Sequence, residues 1–277
     1  MCAAAMAVTR YPFIAIVLIM TLAALWINHH DQSEPNDWLI ATISPALGQL
    51  RRNMIRNTWQ KVYKGPPATM RFILASAGEE LMPIIEAENA TYGDLIMLSH
   101  LTDSKELGMK SKEIDFFQGL VQSGMSFKFV SKLDDDSYLD ATGFYNHFLE
   151  PLQQREEKLG NIMIARKLMW WNPEFPYPGG QFYTLSWSLV EALAHGYAND
   201  PARDDYADLL VGRLLYNTKV EFEFIEMDNS VAFDYDPDNP DKISGSHSIT
   251  QGSLNPHQLK DNNVFMQVAQ KMQALSQ

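Results

Sequence analysis

The stretch Phe127-Lys128-Phe129-Val130-Ser131-Lys132-Leu133-Asp134-Asp135-Asp136-Ser137-Tyr138-Leu139 constrains this chain more than any other. Phe127 to Val130 reads as a short buried strand, because aromatic and β-branched residues suit a pleated surface. It runs into three consecutive carboxylates, Asp134, Asp135 and Asp136. Adjacent negative charges disfavour one another and need a compensator at the end of a buried strand. A divalent cation is one compensator, since hard ions take oxygen ligands and keep open positions for phosphate. A solvated turn or helix cap is the other reading of an acidic triplet. In an open α/β sheet, ligands bind in the crevice beyond the carboxyl ends of the strands.

The flanking segments supply such a sheet. Trp38 to Ile43, closed by Ser44-Pro45, reads as a first strand. Met70 to Ala75, Leu95 to Leu98 and Ile162 to Ala165 read as further strands. Helices are expected from Glu79 to Glu88, from about Met109 to Ser123, and from Ala141 to Lys158 with a break at Pro151. Another begins at Ser186 or Ser188, while Asp234 to Asn263 is loop-like. Strands alternating with helices predict a doubly wound α/β domain with a mainly parallel sheet. At 277 residues with no internal repeat, the chain has one sizeable core. Its net charge of -12 argues against nucleic acid as the main partner.

Ahead of that body, Tyr11 to Ile27 is an uncharged apolar run at the short limit for a spanning helix. Arg10 before it places residues 1–10 in the cytosol, with a short stem over 28–37 and a lumenal body over 38–277. A cleaved signal peptide is the rival, but no small-x-small cleavage site follows the run. Asn89-Ala90-Thr91 is a glycosylation acceptor triplet if the body is lumenal. Cys2 is the one cysteine, so the body has no disulfide.

Further chemistry is scattered along the chain. Arg52 and Arg56, four apart, share a helix face just after the first strand, where a phosphate would be met. Trp170 to Tyr183 is rich in aromatics, prolines and glycines, suited either to stacking on a sugar or to packing beneath a loop. Asp208 precedes an apolar helix as a cap or as a base. His247 and His257 are ligands or surface groups.

The order of these motifs resembles the family 31 glycosyltransferases, the β-1,3-galactosyltransferase and fringe-like group. Four blocks carry the likeness: Arg51 to Trp59; Tyr92-Gly93-Asp94; Lys132 to Tyr138; and Tyr177 through Gly180, Tyr183 and Ser186 to Asp208-Leu209-Leu210-Val211-Gly212. The resemblance implies a GT-A fold, a UDP-sugar donor, manganese, a single-pass type II Golgi topology and inversion at the anomeric carbon. It implies transfer of galactose or an N-acetylhexosamine to a hydroxyl of a glycan or glycoprotein acceptor in β-1,3 linkage. By position, Asp134 and Asp136 bracket the metal motif and Asp136 is the direct ligand. Asp135 holds the donor's ribose or sugar, and His247 matches the metal-ligand histidine. Arg52 and Arg56 support either the nucleotide side or the strand framework, and Asp208 is the expected base. Ala207 departs from the pattern, standing where the family has glutamate. That departure supports the competing reading, a catalytically inactive, membrane-tethered glycan-binding or chaperone-like relative. A metal-dependent hydrolase would need a second carboxylate and histidine cluster, which the chain does not offer.

Overall fold

Six buried residues in a row, Trp38–Ile43, make β1 the spine of a seven-stranded sheet. The sheet adds β2 (Thr69–Ser76), β3 (Leu95–Thr102), β4 (Phe129–Asp134), β5 (Ile162–Leu168), β6 (Tyr177–Ser186) and β7 (Glu223–Glu226). Its order is β3-β2-β1-β4-β6-β5-β7. β1 pairs in parallel with β2 and β4, as do β2 with β3 and β5 with β7. β6 is antiparallel to both of its neighbours. The mainly parallel sheet expected from the alternating pattern is therefore present. This computed structural model describes residues 37–155, 159–169, 174–200, 205–236, 238 and 247–276. The apolar run 11–27 lies outside them, and no helix among the described residues is long and apolar enough to cross a membrane.

Strand side chains alternate between two cores, as the period of two requires. Trp38, Ile40, Phe72, Leu74, Phe129 and Leu133 enter one. Leu39, Ala41, Ile73, Val130 and Leu185 enter the other. With both faces covered, the strands are apolar throughout rather than alternating.

The helices are α1 (Gln49–Ile55), which runs into a π-helical turn (Arg56–Gln60), α2 (Met82–Tyr92), α3 (Lys105–Met109) and α4 (Lys112–Gln122). After β4 come α5 (Ala141–Phe144), a second π-helical turn (Tyr145–Leu149) and α6 (Glu150–Gln153). Then follow α7 (Trp187–Asn199), α8 (Ala207–Thr218) and α9 (Asn262–Leu275). A two-stranded parallel ladder joins β8 (Ala232–Asp234) to β9 (Asn255–His257).

Several expectations shift. The strand expected from Phe127 starts at Phe129 and reaches Asp134, because β1 pairs with it from Trp38↔Phe129 to Ile43↔Asp134. Part of the aromatic, glycine-rich stretch is β6, an interior strand, while 170–173 lie outside the described residues. The helix expected over 109–123 is α4, preceded by the short α3 that the sequence did not announce. Pro151 sits in the first turn of α6, where its missing N–H costs nothing. The acceptor triplet falls inside α2, with Asn89 Oδ1 accepting the Leu95 N–H at 3.1 Å. The tail thought loop-like contains β9, and that difference completes the site.

Candidate active site

The strand order reverses between β1 and β4, since β1 is followed in sequence by β2 on one side and flanked by β4 on the other. The crevice beyond their carboxyl ends is the ligand position of an open α/β sheet. β4 ends there at Asp134, with Asp135 and Asp136 in the turn that follows.

The segment after this turn is stitched to the tail. Leu259 N–H donates to the Asp136 carbonyl at 2.8 Å, Tyr138 N–H to Pro256 at 3.0 Å and Asp140 N–H to Leu254 at 2.8 Å. The buried Asn255 adds an amide bond to the Tyr138 carbonyl at 2.9 Å. These bonds bring His257 against the carboxylates. Its Nε2 lies 3.1 Å from Asp136 Oδ1 and 3.8 Å from Asp134 Oδ2. Its Nδ1 meets Asp234 Oδ1 at 2.7 Å, a contact fixed by the pairing of Asp234 with His257 between β8 and β9. Gln258, next in line, takes a left-handed φ of 65°. Such a backbone is uncommon for a side-chain-bearing residue and is found where surrounding structure imposes it.

Asp134, Asp136 and His257 offer ligand atoms within 4.8 Å of one another. Two carboxylates and an imidazole can hold a metal ion, and Asp234 orients the ring as a partner behind a metal ligand does. Burial lowers the His257 pKa, but Asp136 and Asp234 outweigh it and bring it to about 9. Burial, with Asp136 and Asp134 adding, raises Asp135 to about 6 against the Ser44 hydroxyl that donates to it at 3.0 Å.

The sequence-predicted residues divide here. Asp134, Asp135 and Asp136 lie together. His247 does not join them; its ring meets Phe233 edge-on at 6.0 Å. The histidine in the cluster is His257, which the sequence offered beside His247 as a ligand or surface group.

Arg52 and Arg56 are framework, not ligand groups. Arg52 is fully buried and donates to Glu88 at 2.8 and 2.6 Å, to Ser44 Oγ, and to the carbonyls of Pro45 and Ala46. Arg56 donates to Glu88 and in bidentate fashion to Asp94, all at 2.8 Å. Lys112 adds a bond to the Ser44 carbonyl at 2.8 Å. Together these groups set the loop between β1 and α1, which forms one wall of the crevice. The cation that does face the crevice is the neighbour, Arg51, held by the carbonyls of Leu259 and Lys260 at 2.7 and 2.8 Å. Arg51, Lys260, Pro45, Gly48, Asp135 and Asp136 line a cavity of about 320 Å³. A larger cavity, about 470 Å³, lies against α2 around Ile84 and Tyr92, away from the carboxylates.

Asp208 arrives from α8, which packs on β6. Gly212 permits that approach, since a Cβ there would lie 2.6 Å from Tyr177 Cβ. Gly180 of β6 lies beside it: a Cβ there would stand in ordinary contact with Asp208 Oδ2, at 3.5 Å. Burial raises the Asp208 pKa, Asp134 adds to it, and Leu209 N–H and Lys132 oppose it. Lys132 ties the halves together: Nζ donates to Asp134 Oδ1 at 2.7 Å and to the Gly180 carbonyl, and lies 3.3 Å from the buried Glu113. Tyr183 OH donates to that glutamate at 2.9 Å.

One end of a mainly parallel sheet thus carries a switch-point carboxylate triplet, a histidine brought from the tail and a further carboxylate, Asp208, from α8. The apo structure of the bifunctional glycosyltransferase WbbM superposes with a TM-score of 0.50 at 9% identity, covering 84% of this chain and 47% of that one. The galactosyltransferase family profile matches residues 50–226, and the chain belongs to that family. It is 30% identical over 159 residues to beta-1,3-galactosyltransferase 6 of Mus musculus, covering 53% of this chain and 46% of that protein. It is 26% identical over 183 residues to the probable beta-1,3-galactosyltransferase 1 of Arabidopsis thaliana, covering 54% and 47%. The chain thus spans about half the length of these relatives.

Proposed function

We propose that the chain is an inverting, metal-dependent hexosyltransferase that moves galactose or an N-acetylhexosamine from a UDP-sugar to a hydroxyl of a glycan acceptor in β-1,3 linkage. The observation that carries this reading is the grouping of Asp134, Asp136 and His257 at the switch point, with Asp208 presented from α8. The names of the mouse and plant relatives support the galactosyl donor and the linkage.

Asp134, Asp136 and His257 would hold manganese, whose tolerance of mixed oxygen and nitrogen donors suits this set better than the all-oxygen preference of calcium or magnesium. A bound divalent ion supplies charge neutralisation for the departing diphosphate. Arg51 and Lys260 line the adjoining cavity and add positive charge on that side. Asp135, kept in place by Ser44, accepts from hydroxyls of the donor. Asp208 takes the proton of the attacking hydroxyl as its oxygen bonds to the anomeric carbon and the bond to UDP breaks. A carboxylate with a raised pKa is better matched to that task than an exposed one. In the cell, Tyr11 to Ile27 would anchor the body in the Golgi lumen as a type II protein, and protease digestion of the body in intact vesicles would overturn that part.

The test is transfer by the full chain over a panel of UDP-sugars, with and without manganese, comparing wild type with Asp208→Asn. Asp208 lies in the first turn of α8, whose N-cap is Tyr206, so it is not the cap. Asparagine keeps its size and can still accept the Leu209 N–H but cannot take the proton, so transfer should fall by about 10²–10⁴ while UDP and manganese still bind. Undiminished transfer by a folded mutant removes Asp208 from the mechanism. Ala207, buried where the family pattern has glutamate, favours the second reading, a glycan-binding relative without turnover; absence of wild-type transfer across the panel would select it.

A further inference from the structure

β5 and β6 fall out of step in the middle of the site. Ala165 pairs with Tyr183 and Lys167 with Pro178, so one residue of β5, Arg166, faces the four residues 179–182 of β6. Bulges of this kind beside active sites re-aim side chains. Gly179 makes the room: a Cβ there would lie 3.2 Å from Arg166 Cβ and 3.3 Å from its Nε.

The Arg166 side chain is 14% exposed, and its Nη2 stands 3.9 Å from Asp234 Oδ2, beyond hydrogen-bond length. Nε and Nη1 are buried and have no hydrogen-bond partner among the described residues. The contrast with Arg52, whose every nitrogen donates, is direct. Unpaired buried donors are costly, and a protein keeps them where a ligand or function uses them. Two carboxylates, Asp234 and Asp208, act on this guanidinium and favour its charge against the burial that opposes it. One orients the histidine of the metal cluster; the other is the base.

We propose that Arg166 is an acceptor-binding residue, its part-exposed guanidinium donating to hydroxyl oxygens of a neutral acceptor sugar next to the hydroxyl that Asp208 deprotonates. This rests on the glycosyltransferase reading above. The diphosphate side already has its own cations in Arg51 and Lys260, whereas the base side has Arg166. The acceptor is neutral because a carboxylated sugar would bring a third negative charge against Asp208 and Asp234. A hydroxyl can accept from the guanidinium and donate to either aspartate.

The experiment uses the full chain with its best UDP-sugar, manganese, and paired p-nitrophenyl β-galactoside and β-glucuronide acceptors. For Arg166→Met, the acceptor KM for the galactoside should rise roughly 10- to 100-fold, the span for losing hydrogen bonds from a charged group. UDP–manganese affinity by calorimetry should stay within twofold. The melting temperature should hold, because an unpaired buried cation is being replaced by an apolar chain. Arg166→Lys, which keeps charge but loses the planar fork, should recover part of the KM and carries the test should the methionine variant fail to fold. An unchanged galactoside KM, an equal loss of UDP affinity, or a fall in melting temperature that accounts for the lost rate would each overturn the assignment. So would a wild-type preference for the glucuronide that disappears in Arg166→Met. A wild type that neither binds UDP with manganese nor turns over any UDP-sugar defeats the enzyme reading itself, and this assignment with it; wild-type transfer with an indifferent mutant defeats Arg166 alone.

Discussion

Arg52, Arg56, Glu88 and Asp94 form one buried charge network; Asp134, Asp135, Asp136, Asp234 and His257 form another on the far side of the Ser44–Ala46 loop. In the first, two guanidiniums meet two carboxylates and the short bonds run from 2.6 to 2.8 Å. In the second, three carboxylates, Asp134, Asp136 and Asp234, share one imidazole, while Lys132 reaches Asp134 and Arg51 and Lys260 stand near Asp135 and Asp136. Both look alike as clusters of charge after a strand. The balanced one is complete in itself and holds backbone; the unbalanced one, on the reading proposed above, would be completed by a metal ion. In the first each carboxylate meets a guanidinium at hydrogen-bond distance, whereas in the second three carboxylates crowd one ring, and that difference in pairing separates framework from candidate ligand site.

Breaking the unbalanced network should show the larger effect. Asp136→Ala should reduce manganese-dependent transfer roughly 10³-fold or more, the scale of losing preorganised charge stabilisation at the leaving group. Its melting temperature should fall only modestly, because the contact with His257 is lost while a like charge beside Asp135 is removed. Calorimetry of manganese with UDP reads the binding loss, and equal binding in mutant and wild type would make the triplet a solvated turn.

Breaking the balanced network should do the reverse. Glu88→Ala leaves Arg52 and Arg56 facing one another without their shared carboxylate, costing about 3–5 kcal/mol of stability. Urea unfolding measures it, and a loss below about 1 kcal/mol would mean the arginines find water instead.

These two networks also mark what could be read from the chain alone. β1, β2 and β3 and the position of the carboxylate triplet at a strand end were legible because each signal is local, an apolar run and a charge run; Asp208, expected ahead of its helix, lies in the first turn instead. The roles of Arg52 and Arg56 were not legible, because spacing shows which face they share but not that Glu88, 36 residues on, waits there. The sequence offered His257 as a ligand or surface group, but its choice over His247 was not legible, for the same reason. Its place depends on a ladder with β8 and on backbone bonds to Asp136–Asp140, more than a hundred residues earlier.

A finer test compares the two histidines. Asp234→Asn should weaken manganese binding about 10–100-fold through the lost support of His257, whereas His247→Ala should leave it unchanged. Matching losses would return His247 to the site.

The smallest effect is on pH. Burial pushes Glu88 up, but the hydrogen bonds from Arg52 and Arg56 win, and its carboxyl titrates below the ordinary range. A depressed carboxyl stabilises the fold fully above its unfolded value of about 4.3. That contribution drains away as pH falls through the folded value. Stability of the wild type should therefore decline below about pH 4 more steeply than that of Glu88→Gln. Parallel declines would mean other acids dominate.

The stitching of Asp136–Asp140 to residues 254–259 has a consequence for how the molecule comes into being. A ribosome delivers the sheet's first four strands, the triplet included, long before it delivers His257. Until then Asp136 and Tyr138 lack their backbone partners and the carboxylates lack their ring. A nascent or truncated chain ending before residue 254 should thus be blind to manganese, and it also lacks Leu259, Phe265, Val268 and Met272 from one of the two cores, so that metal capture would report the completion of synthesis.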